Sequence, residues 1–247
     1  MTVFDIYNFL NERFPFNTAA EWDNSGLVIG DKNNIVTKAV ISLDCTEDTV
    51  KLAEDIGAEL IITHHPLIFP ETESLLANAL IPRLESQNIS LISAHTNLDK
   101  AVGGVNDCLA QALGLKNVKT VPTLEGFSIK LGELENELTP EQFARYVGER
   151  LKVTPRFSKG SRNIRRVAVC GGSGGDFLPD AIVAAADAFV TADIKHHVFL
   201  DAGISGITLI DGGHYATEDT VIEPLKNILQ AKFTEILFVS NHFIAFR

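Results

Sequence analysis

A strand–helix–strand plan occurs twice along this chain. Alternation of that kind commits a sequence to a largely parallel sheet with helices on its faces. The first occurrence runs from Val40 to Asp99. A strand over Ala39–Leu43 leads to a helix over Glu47–Ile56 and a strand over Glu59–Ile62 that ends in His64-His65. After a further helix, a strand over Ser90–Ala94 ends in His95. The second runs from Arg166 to Glu218: a strand at Val167–Cys170, a glycine loop, a helix at Leu178–Ala186, a strand at Ala188–Thr191, a short segment ending in His196-His197, and a strand at Gly206–Ile210 ending near His214. In both, a histidine pair follows the second strand and a single histidine follows the third. The reading is an α/β fold that is a degenerate duplication of one βαβ-type unit.

Between the two lies Val118–Arg165, with a strand at Phe127–Gly132 and a helix announced by Thr139-Pro140-Glu141-Gln142, threonine as N-cap and proline at the first helical position. The boundary is expected near Val121-Pro122-Thr123. That gives one α/β half over residues 1–122 with His64, His65 and Asp99, and another over 123–247 with His214 and Glu218. Glu235–Ser240 reads as a last strand that can return to the first half. The N-terminus reads as an amphipathic helix with Phe4, Ile6, Tyr7, Phe9, Leu10 and Phe14 mostly inward.

Six of the seven histidines fall in these clusters, at expected strand ends, where α/β proteins place ligands. Imidazole with carboxylate suits first-row transition metals. His95 and Asp99 are spaced i, i+4, and so are His214 and Glu218; on a helix such a pair shares one face, about 6 Å apart. Taken singly, each cluster has an ordinary reading: His64-His65-Pro66 as a strand end, Asp99 as a cap or turn residue, Glu218 as an acid in a first helical turn. Taken together they would be unrelated accidents at the same end of a sheet, and a metal site is the better account. Three imidazoles and two carboxylates give mixed ligation suited to zinc, iron or manganese, and five ligands exceed what one open catalytic ion uses. Two divalent ions are therefore expected. His196-His197, beside Lys195, reads better as a helix face than as a ligand pair.

Gly171-Gly172-Ser173-Gly174-Gly175 follows a strand and precedes a helix. It lacks the lysine of a phosphate loop and the third glycine of the dinucleotide fingerprint, so a tight strand-to-helix turn facing the metal site is expected. No nucleophilic triad stands out. Cys45, Cys108 and Cys170 have no CxxC spacing and sit in apolar surroundings, the pattern of reduced, inert thiols in a cytoplasmic protein. A net charge of −11 argues against a general nucleic-acid or membrane surface. No apolar run is long enough to span a bilayer, and the N-terminus is no signal peptide.

Glu21-Trp22-Asp23-Asn24-Ser25-Gly26-Leu27, Thr63-His64-His65-Pro66-Leu67-Ile68-Phe69, His95-Thr96-Asn97-Leu98-Asp99, Gly103-Gly104-Val105-Asn106, the Cys170–Gly175 loop and Asp211-Gly212-Gly213-His214 with Glu218 together resemble the GTP cyclohydrolase 1 type 2 homologue family, the Nif-three-like proteins. The matches run in family order over nearly the whole chain. The resemblance implies two interlocked α/β domains of similar topology, a dinuclear metal centre in the cleft, and a ring-shaped homohexamer. Carried over by position, it implies His64, His65, Asp99, His214 and Glu218 as ligands, with His95 close by as a candidate proton shuttle. It implies hydrolysis in which a metal hydroxide attacks C8 of a purine, on a nucleotide or related heterocycle. Against a triphosphate substrate, Arg162, Arg165 and Arg166 form the only dense basic group. The competing reading is a non-enzymatic ring that stores, inserts or senses metal. A DNA-binding ring fits the acidic chain poorly.

Overall fold

The computed structural model describes residues 1–68 and 74–242; Phe69 of the histidine-pair motif lies outside them. The chain begins with α1 (Val3–Arg13), β1 (Gly26–Ile29), β2 (Lys38–Ser42), α2 (Glu47–Ile56), β3 (Leu60–Thr63), α3 (Leu75–Ser86), β4 (Ser90–Ser93) and α4 (Thr96–Lys100). It continues through α5 (Val105–Ala112), β5 (Lys116–Pro122), β6 (Ser128–Leu138), α6 (Pro140–Leu151), β7 (Arg156–Ser158), β8 (Ile164–Val169), α7 (Leu178–Val183), β9 (Ala188–Thr191), α8 (His196–Ser205), β10 (Thr208–Asp211) and α9 (His214–Glu218). It closes with α10 (Ile222–Lys232) and β11 (Leu237–Asn241). These form two compact units: unit 1 is Met1–Val102 with Ile222–Arg247, and unit 2 is Gly103–Val221.

Unit 1 holds a five-stranded sheet, β1-β4-β3-β2-β11. Its last four strands are parallel and β1 runs antiparallel on β4. β2, β3 and β4 are buried almost throughout, as strands covered on both faces must be. Register sets Val40, Ile61 and Leu91 in one row, which packs with Val50 and Ala53 of α2 and Leu80 and Leu84 of α3.

Unit 2 holds a six-stranded sheet, β5-β6-β8-β9-β10-β7, in which β8, β9 and β10 are parallel. Val169, Val190 and Ile210 form one row and pack with Leu109 of α5 and Phe143 and Val147 of α6. The neighbouring row, Ala168, Phe189 and Leu209, faces the other way onto Ala181 of α7 and Val198 and Ala202 of α8.

The duplication is visible in the topology of each unit taken separately. β2-α2-β3-α3-β4 and β8-α7-β9-α8-β10 are the same parallel succession. In each, the strand just before it in sequence, β1 or β7, lies antiparallel on the third strand. A five-residue helix follows the third strand in both.

Several expectations are corrected, some in part. The boundary near Val121–Thr123 falls where β5 turns into β6, two strands paired antiparallel from Lys116↔Glu133 to Pro122↔Ser128; cutting there would split a hairpin, and the division lies at Val102–Gly103. The last strand, β11, pairs in parallel with β2 and so returns to unit 1 as the sequence allows, but α10 goes with it, and residues from Ile222 onward belong to unit 1 rather than to the second half. His196-His197 does not end a segment but opens α8, and both side chains are exposed on that helix, in keeping with the helix-face reading. The structural counterpart of His64-His65, directly after the second strand, is Ala192-Asp193. Gly206 does not begin a strand: it caps α8 in the left-handed conformation at φ +72°. In α1 the buried face is Val3, Ile6 and Leu10, and Phe4 is exposed. The Thr139 cap forms as expected, with Gln142 completing a capping box.

Candidate functional site

His64 and His65 follow β3, the middle strand of unit 1, and His95 follows β4 beside it. Parallel neighbours end at the same edge of the sheet, which brings three imidazoles together from positions up to 31 residues apart. Ring centroids lie 4.9 Å apart for His64–His65, 5.2 Å for His64–His95 and 5.5 Å for His65–His95. One nitrogen of each lies within 4.8 Å of the others. α4 starts at once after His95, which occupies its N-cap position, and the turn brings Asp99 Oδ1 to 3.5 Å from His64 Nε2.

Unit 2 repeats the turn from the third strand into a five-residue helix, with one histidine and one carboxylate. Gly213, at φ +80°, turns the chain after β10 into α9, which carries both His214 and Glu218. His214 Nε2 and Glu218 Oε2 are 3.0 Å apart, and Glu218 is buried.

Every one of these imidazoles has its Nδ1 engaged by an oxygen. His64 Nδ1 meets the carbonyl of Ala94 at 2.8 Å, His65 Nδ1 meets Asp44 Oδ1 at 2.7 Å, His95 Nδ1 meets Asp23 Oδ1 at 2.9 Å, and His214 Nδ1 meets Asp193 Oδ2 at 2.6 Å. A carbonyl or an ionised carboxylate can only accept, so Nδ1 carries the proton and donates it. In the neutral ring, Nε2 is then the basic nitrogen. That is how metal-binding histidines are held: the outer oxygen fixes tautomer and ring orientation and raises ligand basicity. At His214, this leaves two acceptors, Nε2 and a buried carboxylate oxygen, 3.0 Å apart, a pairing that needs a shared proton or a cation.

Asp23 is the most heavily bonded of the anchors. Its buried carboxylate accepts from His95 Nδ1, from the backbone N–H and hydroxyl of Thr96, and from the hydroxyl of Ser25. Burial pushes this carboxyl up, but the hydrogen bond and charge of His95 and the Thr96 and Ser25 donors outweigh it and hold the group well below the usual range. Cys45 is adjacent to the anchor Asp44. Burial first, and the Asp44 charge second, push its thiol up to about 12, which keeps it protonated at neutral pH.

The glycine loop is a mould for Glu218. A Cβ at Gly172, where φ is +63°, would stand 2.0 Å from Glu218 Oε1. Three of the loop's amides are already used. Gly171 N–H donates to Asn106 Oδ1, Gly172 N–H to Thr217 Oγ1 and Gly174 N–H to Thr191 Oγ1, so they do not form an anion nest. Asn106 comes from the Gly103-Gly104-Val105-Asn106 motif, whose part in unit 2 is to clamp this loop.

The three carboxylate anchors were not legible as such. Asp44 and Asp193 each stand two residues beyond a parallel strand, β2 and β9, and an acidic residue at that position is the signal that could have found them. The seventh histidine, His242, pairs with Glu223.

Comparison with known proteins matches a family model described as Duf34/NIF3 (NGG1p interacting factor 3) over residues 1–246. The chain belongs to the Duf34/NIF3 family. A Clostridium perfringens relative named GTP cyclohydrolase 1 type 2 homolog is 35% identical over 233 residues, covering 90% of this chain and 88% of its own. A Lactococcus lactis relative of the same name is 37% identical over 213 residues, covering 83% and 82%. The crystal structure of a Staphylococcus aureus hypothetical protein superposes with a TM-score of 0.92 at 34% identity, over 100% of this chain and 99% of that one. The NIF3 assignment agrees with the resemblance carried by the sequence motifs. No helix among the described residues is long and apolar enough to cross a membrane.

Proposed function

We propose that the protein is a metal-dependent hydrolase that acts on a nucleotide or related heterocycle. Its two divalent transition-metal ions, zinc, iron or manganese, would be held by His64, His65 and Asp99 of unit 1 and by His214 and Glu218 of unit 2. One observation carries the reading. Each histidine offers Nε2 as a basic nitrogen because an oxygen holds the proton on Nδ1. Imidazole nitrogens and carboxylate oxygens are the donor set those metals take. The names of the curated relatives support the reaction class.

Ions at these ligands would supply a nucleophile at neutral pH by acidifying water, and would polarise the bond under attack. The chain's own groups do the rest. His95, with Nδ1–H held by Asp23, has Nε2 as its base; it takes a proton from the attacking water and returns it to the departing ring nitrogen. Asp44 and Asp193 keep His65 and His214 in the ligating tautomer. A homohexameric ring in the cytoplasm is the assembly the family resemblance supports, checked by light scattering.

The test is turnover of GTP and a nucleotide panel by metal-loaded protein, with His64→Ala and Glu218→Ala alongside. Activity lost in both variants is the expected result. Full activity in both would remove the proposed ligands. Tight, exchangeable metal with no turnover across the panel would leave a metal-handling protein instead.

A further inference from the structure

Trp22 is the only tryptophan of the chain, and 56% of its surface is exposed. A single exposed aromatic is ordinary. This one sits in a loop fixed on every side. Ala20 N–H donates to Thr96 Oγ1 at 2.9 Å, and Asp23 N–H to the carbonyl of Ala20. The Asp23 carboxylate is buried under His95 and Thr96, and Asn24 Nδ2 donates to the carbonyl of Ile68 at 2.9 Å. These bonds hold the backbone on both sides of Trp22 and so fix where the indole leaves the surface.

The indole lies beside His95, with centroids 5.9 Å apart and planes at 71°. The two rings are near perpendicular, so His95 is not stacked on the indole, and the exposed part of the indole can take a planar ring. A ring stacked there, at the offset distances aromatic pairs prefer, has its edge beside His95. Glu21, exposed next in the chain, disfavours a phosphate at this place and leaves the ring end of a ligand as the part that fits.

We propose that Trp22 is the stacking platform for the planar heteroaromatic ring of the ligand. This deepens the hydrolase reading, on which it rests for the chemistry, by making the ring rather than a phosphate chain the recognised group.

The sole tryptophan is its own reporter. Full-length metal-loaded protein is titrated with guanosine, adenosine and ribose 5-phosphate while Trp22 emission is followed, and affinities are measured by equilibrium dialysis. The nucleosides should quench the emission and ribose 5-phosphate should not. Trp22→Leu should bind nucleoside roughly 5- to 100-fold more weakly, the range expected for losing one stacked ring. Trp22→Phe should recover much of this, and metal affinity should stay unchanged in both. Nucleoside binding equal in Trp22→Leu, quenching as strong by ribose 5-phosphate, or no nucleoside binding by wild type would each overturn the platform. The two readings fail separately. Quenching without turnover of any substrate removes the hydrolase and keeps the platform; turnover with unchanged KM in Trp22→Leu does the reverse.

Discussion

Gly172→Ala separates the proposed ligand role of Glu218 from general stability. The substitution imposes two costs. An L-residue at φ +63° pays the left-handed backbone penalty, about 1–2 kcal/mol. In a chain of this length that lowers Tm by roughly 2–8 °C. The new methyl would also sit 2.0 Å from Glu218 Oε1, where real Cβ atoms keep at least 3.0 Å, so the carboxylate must retreat by about 1 Å. A metal ligand tolerates about 0.2 Å. Glu218 would therefore stop ligating, and affinity should fall at least as far as the roughly 10- to 100-fold typical of losing an outer partner. Gly57→Ala is the control. It has φ +66° and nothing within 4 Å of the added Cβ, so it carries the backbone penalty alone. The assay is competition for zinc against a chromophoric chelator, with Tm measured on metal-free protein. Both variants should lose similar Tm, and only Gly172→Ala should lose affinity. Wild-type affinity in Gly172→Ala, with the Tm loss present, would refute the assignment of Glu218 as a ligand.

Asp44→Leu and Asp193→Leu should each weaken metal binding by roughly 10- to 100-fold in the same competition assay while leaving the far-ultraviolet circular dichroism unchanged. Glu223 is held at about 2 by hydrogen bonds from Lys226, Ser240 and His242. Its folded value lies below its unfolded one, so its contribution is full above about pH 4.5 and fades as pH falls towards 2; urea titrations of metal-free protein should show the gap between wild type and Glu223→Gln closing over that window. Burial pushes Cys45 up to about 12 and Cys108 up to about 11, so neither should react with a thiol reagent at pH 8 until denaturant is added, a count that absorbance reads directly.

Local patterns are legible in the amino-acid sequence. Helix α2 and strand β9 form over Glu47–Ile56 and Ala188–Thr191 as expected, and α6 follows from Thr139-Pro140. The i, i+4 pairs His95–Asp99 and His214–Glu218 are legible because one helical turn brings them together. His196-His197 looks like the echo of His64-His65 because sequence shows only that a pair follows a strand. The structure starts a helix at His196, and the helix turns both rings to solvent.

The sequence by itself determined the alternating plan, its duplication, the family and the residues capable of ligation, because each is written in spacing or local propensity. Tertiary structure alone decided that Asp23 reaches His95 across 72 positions, that Asp44 reaches His65 and Asp193 reaches His214 across 21, and that β11 returns to β2. The Asp44–His65 and Asp193–His214 pairings arise from parallel strands ending at a common edge, and Asp23 meets His95 because antiparallel β1 begins where β4 ends. Which ends become neighbours depends on strand order, and strand order is settled by burying whole faces of a sheet rather than by any short stretch of chain.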